Sequence, residues 1–489
     1  MLKRLRGVRG NIAEMRTITL SNGNINFIFV LMFLITFVIL LIIEVTLTTY
    51  YKSHALHKPT YTISSERTQK FEEYSYKNTN TLLPRDAVWQ PVTGTTYKFY
   101  VYSAFLDKRS RKQWVIKVIG ATKTKFYDKA ICIFHFKDRP GERIRAKVAA
   151  IRENWNLPYS AVFIICNIKN SSHIPSSVSI STYNNQYSTN KDAGNNLLVQ
   201  NHPDLTLDQN KDKIAVCVKP IHYNYDKTVQ LLEFIELNRL LGVSHFTFYN
   251  SSLSSSTNCI LHHYLKEGTV SVHSWHLQDI RSQVEIRTEG MFAALNDCLY
   301  RNMYTYPYVA FIDLDEIITP QFNKTLNDLL KWLSIRYNTN QVSAYSFQNA
   351  FFYTQWNDDS SLDHSNEIEK HLISIRKTRR CLKLSPHTQR SKYIAKVKNV
   401  FEVGNHFVWQ FLPLQNVLNV PPKVALLHHY RVCEFGGDGC VHLPSVVDRT
   451  LHSYRRNLTC KIAEKWLRLN DRCGLPKLEN FNYEKICEK

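Results

Sequence analysis

Between Phe99 and Ile180 the chain gathers β-branched and aromatic residues over strand-like lengths, in YKFYVYSAFLD, QWVIKVIGA, KAICIFHF and SAVFIICNI. This pattern predicts a small β-rich domain, bounded with its linker at 93–205, and the polar run STYNNQYSTNKDAGNN closes it as a loop. From Lys213 the rhythm changes. KIAVCVKPI predicts a strand, and DKTVQLLEFIELNRLLG predicts a helix capped by Asp226 and stopped by Gly242, with Leu231, Phe234, Ile235 and Leu241 on one face. HFTFYN, CILHHYLKEG, TVSVHSW, EIRTEGMFAALNDCLYRN and YVAFIDLDEIITP then continue strand, helix, strand, helix, strand. Strands alternating with helices of this size predict parallel βαβ units, here in a domain at 212–445 with a C-terminal extension at 446–489.

One stretch near the start is apolar without alternation. FIFVLMFLITFVILLII, within 26–43, carries no charge and only Thr36 as a polar interruption, and no small-residue cleavage pattern follows it. It predicts a single transmembrane signal anchor and not a cleaved signal peptide. Lys3, Arg4, Arg6, Arg9 and Arg16 stand against Glu14 in residues 1–25, so the tail is expected in the cytosol and the body in the lumen, a type II arrangement. Residues 44–92 are polar, poor in large aliphatic side chains, and read as a stem.

Charge and cysteines acquire meaning from that topology. The net charge of +21 would suggest nucleic acid, but a lumenal body never meets chromosomal DNA, and the excess better suits anionic small molecules such as nucleotide diphosphates. All 11 cysteines follow the anchor and none forms a CxxC pair, which predicts disulfides and not a zinc ribbon. Cys132 with Cys166 and Cys433 with Cys440 are plausible pairs, and the odd count leaves one thiol over. Sequons at Asn170, Asn323 and Asn457 are expected to carry glycans. The sequon at Asn250 ends the strand HFTFYN beside the expected ligand crevice, where a glycan would crowd the site, so it is expected to be bare.

In open α/β sheets ligands bind beyond the carboxyl ends of the strands. YVAFI is apolar enough to be a central strand, and Asp313, Asp315 and Glu316 follow at its carboxyl end. A period of two puts Asp313 and Asp315 on one side and Leu314 on the other, and two carboxylates so placed suit Mg²⁺ or Mn²⁺ and leave room for substrate phosphates.

The order CVKPIHYNYDKTVQLLEFIELNRLLGVSHFTFYN, AALNDCLYR, YVAFIDLDE and a late HHYR resembles glycosyltransferase family 92 over roughly residues 90–445. The resemblance implies a GT-A-like, Rossmann-like mixed sheet with flanking helices, in a type II protein of the Golgi membrane. It also implies inverting transfer of galactose from UDP-galactose to a glycan acceptor, on glycoprotein or glycolipid, to form a β-linkage. Carried onto this chain, Asp315 would coordinate Mn²⁺ or another divalent cation against the UDP diphosphate, and Asp313 would contact the ribose or a metal-bound water. His429, in the matching His429, Tyr430, Arg431 triplet, would be a further metal ligand. Lys392, in SKYI, and Arg390 would meet the diphosphate from the basic stretch Arg376–Lys398, and His406 is an additional candidate. An inverting displacement also needs a base. Asp358, Asp359, Asp363, Glu402 and Glu434 are open, with Asp358 and Asp359 preferred.

Two other classes compete. FIDLDEI approaches the signature of haloacid-dehalogenase-like phosphatases, with Asp313 as nucleophile and Asp315 as acid and base, although Ile317 stands where Thr or Val is expected and several βα units precede the motif. An inactive lumenal glycan-binding protein on a transferase fold is the non-enzyme alternative.

Overall fold

The structure is a computed structural model of the chain. It describes residues 31–42, 44 and 46, and from 83 to 487 all but 111–112, 170–172, 183–193, 202–212, 278, 364–365, 435–436 and 480. The predicted cytosolic tail, most of the stem and the sequon at Asn170 lie outside the described residues. Two compact units divide the chain, 1–78 and 79–489. In the first, residues 31–42 are helical with exposed apolar side chains. No helix among the described residues is long and apolar enough to cross a membrane, and residues 26–30 and 43 of the expected anchor lie outside them.

In the second unit, the alternating segments build a nine-stranded sheet between Gln90 and Gln200. Its two ends are one piece of chain: Glu142–Arg145 pairs antiparallel with Ala130–His135, and Lys147–Ala150 pairs antiparallel with Tyr159–Asn167, so one continuous stretch closes the sheet on itself. The disulfide Cys132–Cys166 lies in this sheet.

Beyond it, strands β1 (Ile214–Cys217), β2 (Val243–Asn250), β3 (Val270–Ser274) and β4 (Tyr308–Phe311) are joined by helices α1 (Thr228–Leu240), α2 (Ser255–Lys266) and α3 (Met291–Asn302). All four strands are parallel. The chain continues through β5 (Glu316–Pro320), α4 (Leu326–Arg336), β6 (Val342–Phe347), β7 (Asn349–Tyr353), β8 (Lys392–Lys396), β9 (Asn416–Asn419) and β10 (Ala425–Arg431). Antiparallel β8 inserts between β4 and β6, giving a mixed seven-stranded sheet ordered β3-β2-β1-β4-β8-β6-β9. β5, β10 and β7 form a separate three-stranded sheet with β10 in the middle.

Leu231, Phe234 and Ile235 of α1 are buried against this sheet, and Gly242 ends the helix region at φ +94°, as the spacing predicts. The cap differs. Lys227 occupies the N-cap, no side chain caps the helix, and Asp226 accepts from Thr228 N only through its backbone carbonyl. Residues beyond 445 pack into the same core, with Leu458, Ile462 and Trp466 of α5 (Arg455–Cys473) buried in it and Cys259–Cys473 tying α5 to α2.

The β-rich and α/β segments share a core in which Tyr102, Phe105 and Phe163 meet Trp275, Leu299, Tyr300 and Tyr393. A buried polar link crosses the same boundary. Ser103 and Tyr249 hydroxyls donate to Asp297 on α3, and Arg301 pairs with both Asp297 and Asp86. Ten of the 11 cysteines are paired: the two expected bridges form, with Cys217–Cys298, Cys259–Cys473 and Cys460–Cys487. Cys381 is the remaining thiol, and it is buried.

Candidate functional site

From β1 the chain runs outward through β2 and β3, then returns to lay β4 on the other side of β1. The crevice at the carboxyl ends of β1 and β4 is therefore a topological switch point, where open α/β sheets bind ligands. Lys219 follows β1 there and Asp313 follows β4.

The strand does not run on through the acids. β4 ends at Phe311, and Asp313 and Asp315 sit on a turn closed by Glu316 N donating to Asp313 O at 3.1 Å. The pleat therefore does not set their common side, and the expected alternation gives way to a turn. Glu316 holds that turn: its Oε2 accepts from Asp313 N at 2.8 Å while the side chain is almost wholly buried.

Two ammonium groups grip Asp313. Lys219 Nζ donates to Asp313 Oδ2 at 2.8 Å and Lys392 Nζ at 3.2 Å, and Lys392 also lies 3.5 Å from Glu316. Burial alone would raise the Asp313 carboxyl, but the two lysines hold it well below the ordinary carboxylate range. Lys219 is correspondingly raised: burial works against its charge, and Asp313 and Asp315 outweigh it. Glu316 is pushed up by burial, against the opposing pull of Lys392. Asn405 Oδ1 accepts a further hydrogen bond from Lys392 at 2.8 Å.

The register of β10 between β5 and β7 brings in His429, which stands opposite Glu316 on one side and Phe351 on the other. Its Nε2 lies 3.2 Å from Asp315 Oδ2, and its Nδ1 lies 2.9 Å from Asn349 Oδ1, which orients the ring. Burial would raise Asp315, but the hydrogen bond and charge of His429 keep it low. His428 points the other way, into the core beside Phe352, as alternation along the strand requires.

Two cavities meet at these residues. One of about 360 Å³ is lined by Lys219, Pro220, Ile221, Tyr225, Asp313 and Asp315. The other, about 580 Å³, is lined by Lys219, Asp313, Asp315, His429, Arg390 and Glu434 among others, and takes Glu153 and Trp155 from the β-rich segment. Both fall in the range of ligand pockets, about 300–1,000 Å³.

Of the residues expected from sequence, Asp313, Asp315, Lys392, Arg390, His406 and His429 converge here. Asp358 and Asp359 do not. They line a separate cavity with Trp356 and Arg449, where Asp358 pairs with Arg376 and Lys377, and Asp359 accepts from Ser361, Thr378 and Arg449. Both are held below the ordinary range because these partners outweigh burial. Glu402 accepts from Arg152 N and lines yet another cavity. Part of the basic stretch is ion-paired away from this site, with Arg380 paired to Asp448, and Arg376 and Lys377 to Asp358. Of the expected glycan sites within the described residues, Asn457 is exposed in the first turn of α5. Asn323 is partly buried, and the Thr325 of its sequon serves as N-cap of α4.

Sequence reasoning missed Lys219, Asn349, Asn405 and the two residues from the β-rich turn. Lys219 was findable by the rule that singled out Asp313, since CVKP follows an apolar strand directly.

The donor set suits a divalent cation in part. Among the described residues no group of three or more His, Cys, Asp or Glu converges on a metal-sized site. Asp315 and His429 offer one oxygen and one nitrogen, which fits an ion whose other ligands are phosphate oxygens and water. Asp313, expected as a ligand, is engaged by two lysines instead.

Residues 212–487 match the family model of glycosyltransferase family 92. A β-1,4-galactosyltransferase of Caenorhabditis elegans is 28% identical over 124 residues, covering 25% of this chain and 29% of that protein. A galactan β-1,4-galactosyltransferase of Arabidopsis thaliana is 29% identical over 168 residues, covering 33% of this chain and 30% of that protein. The matched stretches thus span under a third of either relative. Among solved structures, a mannosyltransferase of Pyrobaculum calidifontis in complex with GDP-mannose and Mn²⁺ is similar at a TM-score of 0.24 and 10% identity, over 53% of this chain and 65% of that one. A likeness of that size carries no weight for the site.

Proposed function

The chain belongs to glycosyltransferase family 92, and from that premise we propose that it transfers a hexose, galactose first, from a UDP-sugar to a glycan acceptor. The product is a β-linkage formed with inversion, and the protein works as a type II protein of the Golgi membrane. The observation that carries this reading is the meeting of two cavities at Lys219, Asp313 and Asp315. The nucleoside occupies the smaller one, where the buried Tyr225 hydroxyl has no partner among the described residues and is available to the base or ribose. The sugar and the acceptor share the larger one. The galactose donor is supported by the names of the two relatives, and the UDP carrier by the implied family chemistry.

Breaking the anomeric bond sends negative charge onto the departing diphosphate. Lys219, with about a third of its side chain exposed, faces the crevice and meets that charge, and Lys392 fixes Asp313 behind it. A divalent cation such as Mn²⁺, held by Asp315 and His429, would supply further neutralisation of the diphosphate. His429 is turned toward Asp315 by Asn349, which limits the rearrangement that binding requires.

Glu434 replaces Asp358 and Asp359 as the base. It lines the larger cavity, is 59% exposed in its side chain, and is held by Arg431 at 2.6 Å and by the neighbouring Cys433–Cys440 bridge. It takes the acceptor hydroxyl's proton as that oxygen attacks the anomeric carbon. Glu434 is ion-paired too, but it is the more exposed carboxylate: Glu153 Oε2 accepts from both Asn405 N and Trp409 Nε1, and Glu316 is buried holding the turn. Family membership also argues against Asp313 as a phosphatase nucleophile.

Calorimetric titration of UDP into the detergent-solubilised chain, with and without Mn²⁺, tests the site. Binding is expected to tighten with Mn²⁺ in wild type and to lose that gain in Asp315→Ala. Equal Mn²⁺ dependence in the variant would remove Asp315 from the site.

A further inference from the structure

The larger cavity is bounded in part by a turn of the β-rich segment, residues 152–157, which carries Glu153 and Trp155. The turn is tied within itself. Asn154 Nδ2 donates to Ile151 O at 3.1 Å, Asn154 Oδ1 accepts from Asn156 N at 3.0 Å, and Leu157 N donates to Asn154 O at 3.2 Å. Trp155 and Asn156 have φ of +57° and +55°, a left-handed backbone that residues with a Cβ adopt only under constraint. The turn is also fastened across the cavity, because Glu153 Oε2 accepts from Asn405 N at 2.9 Å, and Asn405 is the residue that holds Lys392.

This constrained turn presents an indole that is 61% exposed. The guanidinium of Arg287, from the segment leading into α3, lies 4.2 Å from its ring centroid and is itself positioned by donating to Gln283 Oε1 at 2.9 Å. Beyond that contact, a large apolar ring kept in solvent adds little to the fold. At the wall of a ligand cavity it is a binding surface. Around it the lining mixes Arg390, Arg431, Asn405 and Glu434 with Met291 and Phe292, which are themselves buried, so the exposed apolar surface on offer is about one ring wide. That size and mixture suit a pyranose, which pairs a compact C–H face with hydroxyls at its rim, better than a lipid chain or an apolar peptide.

Resting on the transferase reading above, we infer that Trp155 is the platform for the acceptor's terminal sugar. Its indole, which carries the Arg287 guanidinium over one face, offers the other face to the C–H face of a neutral hexopyranose, a galactoside first. The donor is held at the Lys219, Asp313 and Asp315 end of the cavity. The β-rich segment therefore supplies the acceptor half of a site whose donor half comes from the α/β sheet.

The test reads binding and needs no turnover. Saturation-transfer NMR with methyl β-galactoside and a galactose-terminated oligosaccharide is recorded on the full chain loaded with UDP and Mn²⁺, for wild type, Trp155→Ala and Trp155→Phe, with the UDP affinity of each measured in parallel. Trp155→Ala is expected to weaken galactoside binding at least tenfold with UDP affinity within about twofold of wild type, and Trp155→Phe to restore most of it. The inference is overturned if wild type binds neither galactoside, if Trp155→Ala binds them as wild type does, or if UDP affinity falls in step with galactoside affinity. Failure of the transferase reading appears separately, as absence of hexose transfer by a wild type that still binds galactosides through Trp155.

Discussion

At the scale of the residue, the site is a balance of buried charges that cannot be removed one at a time. Lys392 is 2% exposed in its side chain and stands between Asp313 and Glu316, so Lys392→Met leaves two buried acids short of a cation. Such a loss typically costs about 3–5 kcal/mol, and a matching fall in the denaturation midpoint is expected. Lys219, more exposed, should behave differently. Lys219→Met is expected to weaken UDP binding at least tenfold while the unfolding midpoint falls less than in Lys392→Met; equal effects of the two would refute this division of labour. His428 gives the molecule a pH signature. Burial pushes its imidazole down to about 4, so it is neutral in the fold while the unfolded chain titrates near 6.5. Below that pH the unfolded state binds the extra proton, and stability declines as pH falls toward 4, by up to about 3 kcal/mol from this group. His428→Gln is expected to flatten the dependence of the thermal midpoint between pH 6.5 and 4.5.

At the scale of the element, what was legible in the sequence was the alternation of strands and helices up to β4, because each carries its period in its own residues. What was not legible was set by partners distant in sequence. The acids were read as a strand continuing, yet the Glu316 side chain caps the Asp313 amide and turns the chain into β5, whose partner β10 lies over a hundred residues later. Asp358 and Asp359 are the acids preferred from sequence as the base, and only the fold supplies Arg376, Lys377 and Arg449 as their partners. The clasp between the two halves of the site is equally hidden. A Cβ at Gly404 would lie 2.1 Å from Glu153 Oε2 and 2.5 Å from Trp409 Nε1, so only glycine admits the Glu153 carboxylate there. Gly404→Ala is expected to displace Glu153, loosen Asn405 from Lys392, and weaken both UDP and galactoside binding. Unchanged affinities for both would show that the clasp has no influence on the site.

At the scale of the whole molecule, function follows from where two sheets meet. The strand order places Lys219 and Asp313 side by side at the switch point, and the closed β-rich sheet sets its turn at residues 152–157 against the same cavity. The rule that ligands gather at carboxyl strand ends made the first half readable from YVAFIDLDE alone; the second half required knowing that the β-rich segment folds onto the α/β sheet through Tyr102, Phe163 and Tyr393. The central claim is that this junction is a hexosyltransferase site. Its most direct test is incubation of the full chain with UDP-galactose and galactose-terminated glycans, with the acceptor mass followed by mass spectrometry. The account predicts the addition of one hexose by wild type and a loss of about a hundredfold or more in Asp315→Ala. Transfer by Asp315→Ala at the wild-type rate, or no addition by wild type from any UDP-sugar, would contradict it.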